Sequence, residues 1–159
     1  MSIYKVIENQ IKDDQIRKIV IGGVVQFNNR YLMLERKNNI YLEGFYEIPN
    51  GALEYGETID ECINRVIKER IGLYVKNIIS YLGHFDYISS DNKKTRQYNF
   101  LISTEEGEFQ LSERHSNYKL CTLDECINTL NITNETLFII KTASMHDIFK
   151  KLGGKNCEY

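Results

Sequence analysis

GALEYGETIDECINRVIKERIGL, residues 51–73, is the stretch from which the rest of the chain is read. A short loop punctuated by Gly51 and Gly56 runs into one amphipathic segment. Thr58 followed by Glu61 has the pattern of a capping box, in which hydroxyl and carboxylate satisfy each other's backbone N–H groups. A helix is therefore expected over Thr58–Ile71. Ile59, Cys62, Ile63, Val66 and Ile67 recur at helical spacing and give it one apolar stripe. Gly72 stands just past the last periodic residue, where a C-terminal cap belongs.

The same residues resemble the Nudix box, G-x5-E-x7-R-E-U-x-E-E-x-G-U, where U is a bulky aliphatic residue. Gly51, Glu57, Arg65, Ile67, Glu69, Gly72 and Leu73 all fall at its spacings, with Pro49 just ahead. The resemblance implies an α/β fold, a Nudix-type α/β/α sandwich around a mixed central sheet. It also implies hydrolysis of a nucleoside diphosphate linked to another group, with Mg²⁺ or Mn²⁺ held by carboxylates of the helix.

The departures from the box bear on that chemistry. Val66 stands at the first helix glutamate and Arg70 at the last. At about 100° per residue, positions 66, 69 and 70 share one side of the helix. That side carries valine, glutamate and arginine, a formal charge of zero where the box has three carboxylates. Hard dications need several oxygen ligands, and a cation beside Glu69 opposes their binding. The expectation is a Nudix fold whose metal site is rebuilt or lost. Within the resemblance, Glu57, Arg65 and Glu69 are expected to be catalytic, with Arg65 paired to Glu57 or Glu61. Asn50, Gly51, Glu69 and Glu113 are the expected metal positions. Pro49-Asn50-Gly51 replaces the family's P-G-G; asparagine tolerates left-handed backbone best after glycine, so the turn is expected to survive.

Upstream, RKIVIGGVVQF (17–27) is rich in β-branched residues, Asn28-Asn29 signals a turn, and YLMLER (31–36) follows as a second strand. Arg36 leads into an aromatic-rich loop containing Tyr46. Arg36, Tyr46, Arg70 and Arg96 are the expected substrate-binding residues. Residues 1–16 precede the resemblance. Ile3, Val6, Ile7 and Ile11 lie loosely at helical spacing, which gives a short helix or arm packing on the domain or on a second subunit of a homodimer.

Downstream, residues 73–89 supply one long bent strand or two short ones, Asp91 to Lys94 a polar hairpin tip, and RQYNFLIST (96–104) another strand. Arg96 and Gln97 face either the cleft or a solvated sheet edge. Gly107 is expected to precede a short strand around Phe109. The segment 111–130 resembles the family's late loop, strand and short helix, with Glu113 and His115 in the loop. His115 three residues before Tyr118 is similar to the GDP-mannose mannosyl hydrolase branch, which also has an altered box and uses a loop histidine as general base. A histidine titrates in the right range for that role; a plain surface histidine is the alternative. His84 and His146 read as structural. Thr133 or Asn134 caps a last helix with Leu137, Phe138, Ile140 and Ile148 inward, and residues 150–159 form a flexible tail.

The whole chain has 159 residues, 42% hydrophobic and 26% charged, which fits one globular domain spanning residues 17–149. A net charge of -2 gives no general surface for nucleic acid or membrane. No apolar run reaches membrane-spanning length, and the first fifteen residues lack the apolar centre of a signal peptide. Cys62, Cys121, Cys126 and Cys157 show no zinc or C-x-x-C spacing, so buried thiols and a cytoplasmic location are expected. Three functions remain open: a metal-dependent hydrolase of a nucleotide-derived small molecule, a sugar-transfer variant using His115, and a non-catalytic module in which Arg70 contacts phosphate.

Overall fold

The β-branched run upstream of the box becomes the centre of the molecule. In the computed structural model, which describes residues 2–37 and 42–153, it forms strand β1 (Lys18–Phe27). One edge of β1 pairs in parallel with β6 (Lys94–Thr104), from Lys18 opposite Thr95 to Val25 opposite Ile102. The other edge is shared. Val20 to Gly22 pair with β4 (Asn50–Ala52), and Phe27 turns through Asn28, at φ 57°, into β2 (Arg30–Arg36). β2 in turn pairs with β3 (Tyr46–Glu47) and β7 (His115–Cys121), and β6 pairs with the long, irregular β5 (Val75–Ile88). The result is a seven-stranded mixed sheet with the path β3-β2-β1-β6-β5. A strand at the centre of such a sheet is covered on both faces, so Val20, Ile21, Val24 and Val25 are all buried and the run reads as continuously apolar.

Strand alternation sorts the side chains into two cores. Ile21, Val25, Tyr98, Phe100 and Ile102 pack with α2 (Ile59–Ile71). Val24, Tyr31, Met33 and Leu101 pack with α3 (Leu123–Thr129) and α4 (Asn134–Leu152). This is the expected α/β/α sandwich. The N-terminal segment is a helix, α1 (Ile3–Asp13), and it packs on the α2 side of this same chain: Ile7 is fully buried there, Tyr4 stacks edge-on against Phe100, and its hydroxyl donates to Asp60.

α2 starts and stops where its sequence dictates. Thr58 Oγ1 accepts from Glu61 N at 3.2 Å and Thr58 N donates to Glu61 Oε2 at 3.1 Å. Gly72 takes the left-handed conformation at φ 77°. Four expectations are corrected. Asn50 is not left-handed; pairing with Gly22 keeps it extended in β4. Residues around Phe109 form no strand, because their N–H groups go to the end of α2, with Gln110 N donating to Ile71 O at 2.8 Å. The inner face of α4 is Thr136, Ile139, Ile140 and Ala143, while Phe138 and Ile148 are 61% and 51% exposed. α4 also continues to Leu152, so residues 150–152, expected in the tail, are helical; residues 154–159, Cys157 among them, lie outside the described residues. Cys62, Cys121 and Cys126 are free and buried.

The Gly72 cap is a direct test of this packing. A Cβ on Gly72 would sit 2.8 Å from the Gln110 Cβ, in backbone that L-residues avoid. Gly72→Ala is expected to cost about 1–2 kcal/mol from the left-handed conformation alone. The thermal midpoint should fall by roughly 2–4 °C per kcal/mol. An unchanged midpoint by calorimetry would mean that the chain leaves α2 differently.

Candidate active site

A cleft of about 940 Å³ opens where the second half of α2 faces β4, β3 and the start of β6. α2 contributes Arg65, Glu69 and Arg70, and β4 contributes Asn50 and Gly51. Tyr46 and Glu47 come from β3, Arg36 from β2, and Gln97 from β6. Arg114, just ahead of β7, completes the charged wall.

Arg65 organises the loop that leads into the helix. Its Nε and Nη2 donate to the two oxygens of Glu57 at 2.7 and 2.9 Å, and Nη2 also donates to Ala52 O at 2.7 Å. Nη1 reaches Glu69 Oε2 at 3.3 Å, one helical turn on. Glu57 accepts a further bond from Glu54 N at 3.0 Å, and its side chain is only 11% exposed. The Arg65 hydrogen bonds therefore hold its carboxyl down at about 2. Of the two partners open to Arg65 in the sequence, Glu57 is used, since Glu61 is spent on the cap.

The side of α2 that carries the box's carboxylates is built differently here. Val66 is buried against Gly51, so closely that a Cβ on Gly51 would lie 2.7 Å from a Val66 methyl. Arg70 is half-buried, and its Nε donates to Asn50 O at 3.0 Å. Burial, and then the neighbouring charge of Arg114, push its pKa down. Glu69 keeps a half-exposed carboxylate bonded to Arg65. Among the described residues, no three His, Cys, Asp or Glu side chains gather to hold an ion. With the Asn50 carbonyl already accepting from Arg70, the donors present do not fit Mg²⁺ or Mn²⁺.

Four expected site residues lie outside the cleft lining: Glu57, held on Arg65 in the loop ahead of α2, and three others. His115 opens β7 rather than lying in the loop, and it is 5% exposed. Its Nε2 is 2.8 Å from Glu47 Oε1, while Arg36 Nη1 donates to Glu47 Oε2 at 2.8 Å. The histidine is not among the residues lining the cleft; it is bonded to Glu47, which is. Burial works to raise the Glu47 pKa, but the bond to His115 and the charge of Arg36 outweigh it and hold the carboxyl below its ordinary range. Glu113 is exposed and outside the cleft lining; its neighbour Arg114 is inside. Arg96 is on the opposite face of β6, with Tyr98 and Phe100, where it bonds both oxygens of Asp86 at 2.6 and 2.8 Å and Asp14 at 2.6 Å. Gln97, one residue on, takes the cleft position. Tyr46 does line the cleft, its hydroxyl donating to Glu35 at 3.1 Å. Sequence reasoning missed Glu47 and Arg114. Glu47 is marked only by its place two residues before Pro49 at the end of the aromatic loop.

A capped box helix, a mixed sheet covered on both faces and a charged cleft between them define the class. The family model for the NUDIX domain matches residues 17–138, and the chain belongs to the Nudix family. Over 65 residues it is 38% identical to an ADP-ribose pyrophosphatase of Methanocaldococcus jannaschii, a match covering 41% of this chain and 37% of that relative. A MutT Nudix hydrolase from Burkholderia pseudomallei superposes with a TM-score of 0.68 at 20% identity, over 79% of this chain and 96% of the other. A bifunctional NMN adenylyltransferase/ADP-ribose pyrophosphatase from Francisella tularensis, solved with AMP and a manganese ion, gives 0.61 at 20% identity, over 90% and 46%. At those identities the two structures speak for the fold.

The Arg65–Glu57 pair sets a pH dependence. Because the folded pKa of Glu57, about 2, lies below the ordinary 4.5, the pair stabilises the fold fully above pH 4.5 and loses its contribution as pH falls through 2. Glu57→Gln is expected to cost about 1–3 kcal/mol at pH 7, the size of a hydrogen bond to a charged group. Urea melts at descending pH should show the two proteins converging between those limits. A constant difference down to pH 2 would sink this account.

Proposed function

We propose that this Nudix chain hydrolyses a nucleoside diphosphate joined to a second group, cutting the pyrophosphate bond, at a site rebuilt without two of the box's carboxylates. The observation that carries the reading is the placement of Glu69 and Arg70 on one wall of a 940 Å³ cleft with Glu47 and Arg114. That volume suits a ligand of nucleotide size. In the reaction, water oxygen attacks one phosphorus and the bridging P–O bond breaks. The bridging oxygen leaves on the other phosphate, and the water's proton passes to a carboxylate. Glu69 takes that proton, since among the described residues only one of its oxygens is engaged, by Arg65. Arg65 is a positioning residue: it fixes Glu69 and the loop at Ala52. Arg36 and Tyr46 shape the far wall. The first substrate to try is ADP-ribose, for which the Methanocaldococcus relative is named.

A second reading, a binding module without turnover, draws support from the burial of Val66 and the seat of Arg70 on the Asn50 carbonyl. The sugar-transfer variant has no comparable support, since His115 is bonded to Glu47 and is not among the residues lining the cleft. No helix among the described residues is long and apolar enough to cross a membrane. Three free, buried thiols suit a reducing compartment, and we assign the protein to the cytoplasm.

A panel of nucleoside diphosphate derivatives in ¹⁸O water, with Mg²⁺, Mn²⁺ or EDTA, tests the proposal. Hydrolysis of ADP-ribose with label in phosphate is expected, slowed by roughly tenfold or more in Glu69→Gln. Label in the sugar would move the chemistry to the sugar carbon. Binding without turnover under every metal condition would leave the module reading.

A further inference from the structure

Among the described residues, five cationic side chains line the cleft, and three of them are neutralised at short range. Lys18 is 3.9 Å from Asp91, Arg36 is 2.8 Å from Glu47, and Arg65 is 2.7 Å from Glu57. Arg70 and Arg114 differ: among the described residues, no carboxylate lies within 4.0 Å of either guanidinium. We propose that these two arginines form a metal-independent subsite for the diphosphate group of a nucleoside diphosphate. The inference rests on the hydrolase reading for its ligand class, but it concerns binding and not bond cleavage.

Arg70 is held for such a role. Its Nε is fixed on Asn50 O at 3.0 Å, and its guanidinium lies over Gly51, whose missing side chain leaves Nη2 only 3.6 Å from where a Cβ would stand. Nη1 and Nη2 donate to nothing among the described residues, so their N–H groups are left for a ligand. Arg114 is brought alongside by the backbone. Ser112 N donates to Arg70 O at 3.2 Å and Gln110 N to Ile71 O at 2.8 Å, which pins the segment leading to Arg114 against the end of α2. Each of the two positive charges opposes the other, and the proximity of Arg114 is felt at Arg70. Glu69 and Glu47 also act on Arg70, but Glu69 is bonded to Arg65 and Glu47 to Arg36, so the two arginines are relieved by an anion carrying more than one charge. A diphosphate fits this need: its oxygens on adjacent phosphorus atoms can each take a guanidinium fork. The cation that the box would recruit through carboxylates is thereby supplied by the chain itself.

Calorimetric titration of the full chain with ADP, AMP and inorganic pyrophosphate in EDTA tests this. ADP and pyrophosphate are expected to bind without metal, with AMP roughly tenfold weaker or more, and raised salt should weaken all three. Arg114→Gln, at an exposed position, should weaken ADP by about tenfold or more at an unchanged melting temperature. Arg70→Lys, which keeps charge but loses the fork, should weaken it as well. ADP binding in EDTA that is untouched by Arg114→Gln, or that appears only with Mn²⁺, overturns the subsite. Should ADP-ribose hydrolysis then persist with the KM of Arg114→Gln unchanged, the hydrolase reading stands alone. Metal-free ADP binding that is lost in Arg114→Gln, with no turnover of any derivative, upholds the subsite and removes the hydrolase.

Discussion

Everything at the cleft depends on one guanidinium. Arg65 joins the strand end at Ala52, the loop at Glu57 and the next helical turn at Glu69, so three separately specified pieces of backbone share one anchor. Both members of its main pair are largely out of water, and removing one leaves the other charged and unsatisfied. The capping box at Thr58 sets where α2 begins, and the Arg65 clamp sets how the loop approaches it. Together they fix the direction in which Glu69 and Arg70 leave the helix.

Two glycines then decide what can stand beside them. Gly51 lets Val66 press directly on β4, which commits position 66 to the core. On β1, a Cβ at Gly22 would lie 2.5 Å from Asn99 Oδ1 and 2.8 Å from Gln97 Nε2. Its absence makes room for a buried amide pair, in which Gln97 donates to Asn99 at 2.9 Å and Asn99 donates to Gly83 O at 3.2 Å. A hydrogen-bonded floor of this kind is rigid because every misplacement strands a buried polar group. The cleft therefore has a polar base fixed by backbone packing and a charged wall fixed by Arg65.

Much of this was legible because it is local. The cap at Thr58, the stop at Gly72 and the apolar stripe of α2 all lie within residues 51–73, where helical geometry alone relates them, while Arg65 had two partners open to it, Glu57 and Glu61. The strands showed in their β-branched runs. What sequence could not give was register. His115 meets Glu47 only because β7 and β3 both pair with β2, and Arg96 rather than Gln97 turns from the cleft by the parity of one residue. A period of two makes such an assignment all or nothing. The phase of α4 escaped for another reason: its apolar residues encircle the helix, so hydropathy does not say which side is covered.

The parallel pairing of β1 with β6 also joins segments far apart in the sequence. The β1–β2 hairpin and the capped α2 need only neighbours in sequence, whereas β1 also pairs with a strand that begins at Lys94. Closing so long a loop costs entropy before its contacts repay it, and such pairings slow folding. Gln97 reaches the cleft only once that pairing is made. A chain with the box helix but without that pairing would lack a complete ligand pocket, so occupancy of the cleft reports on the whole fold and not on the helix alone.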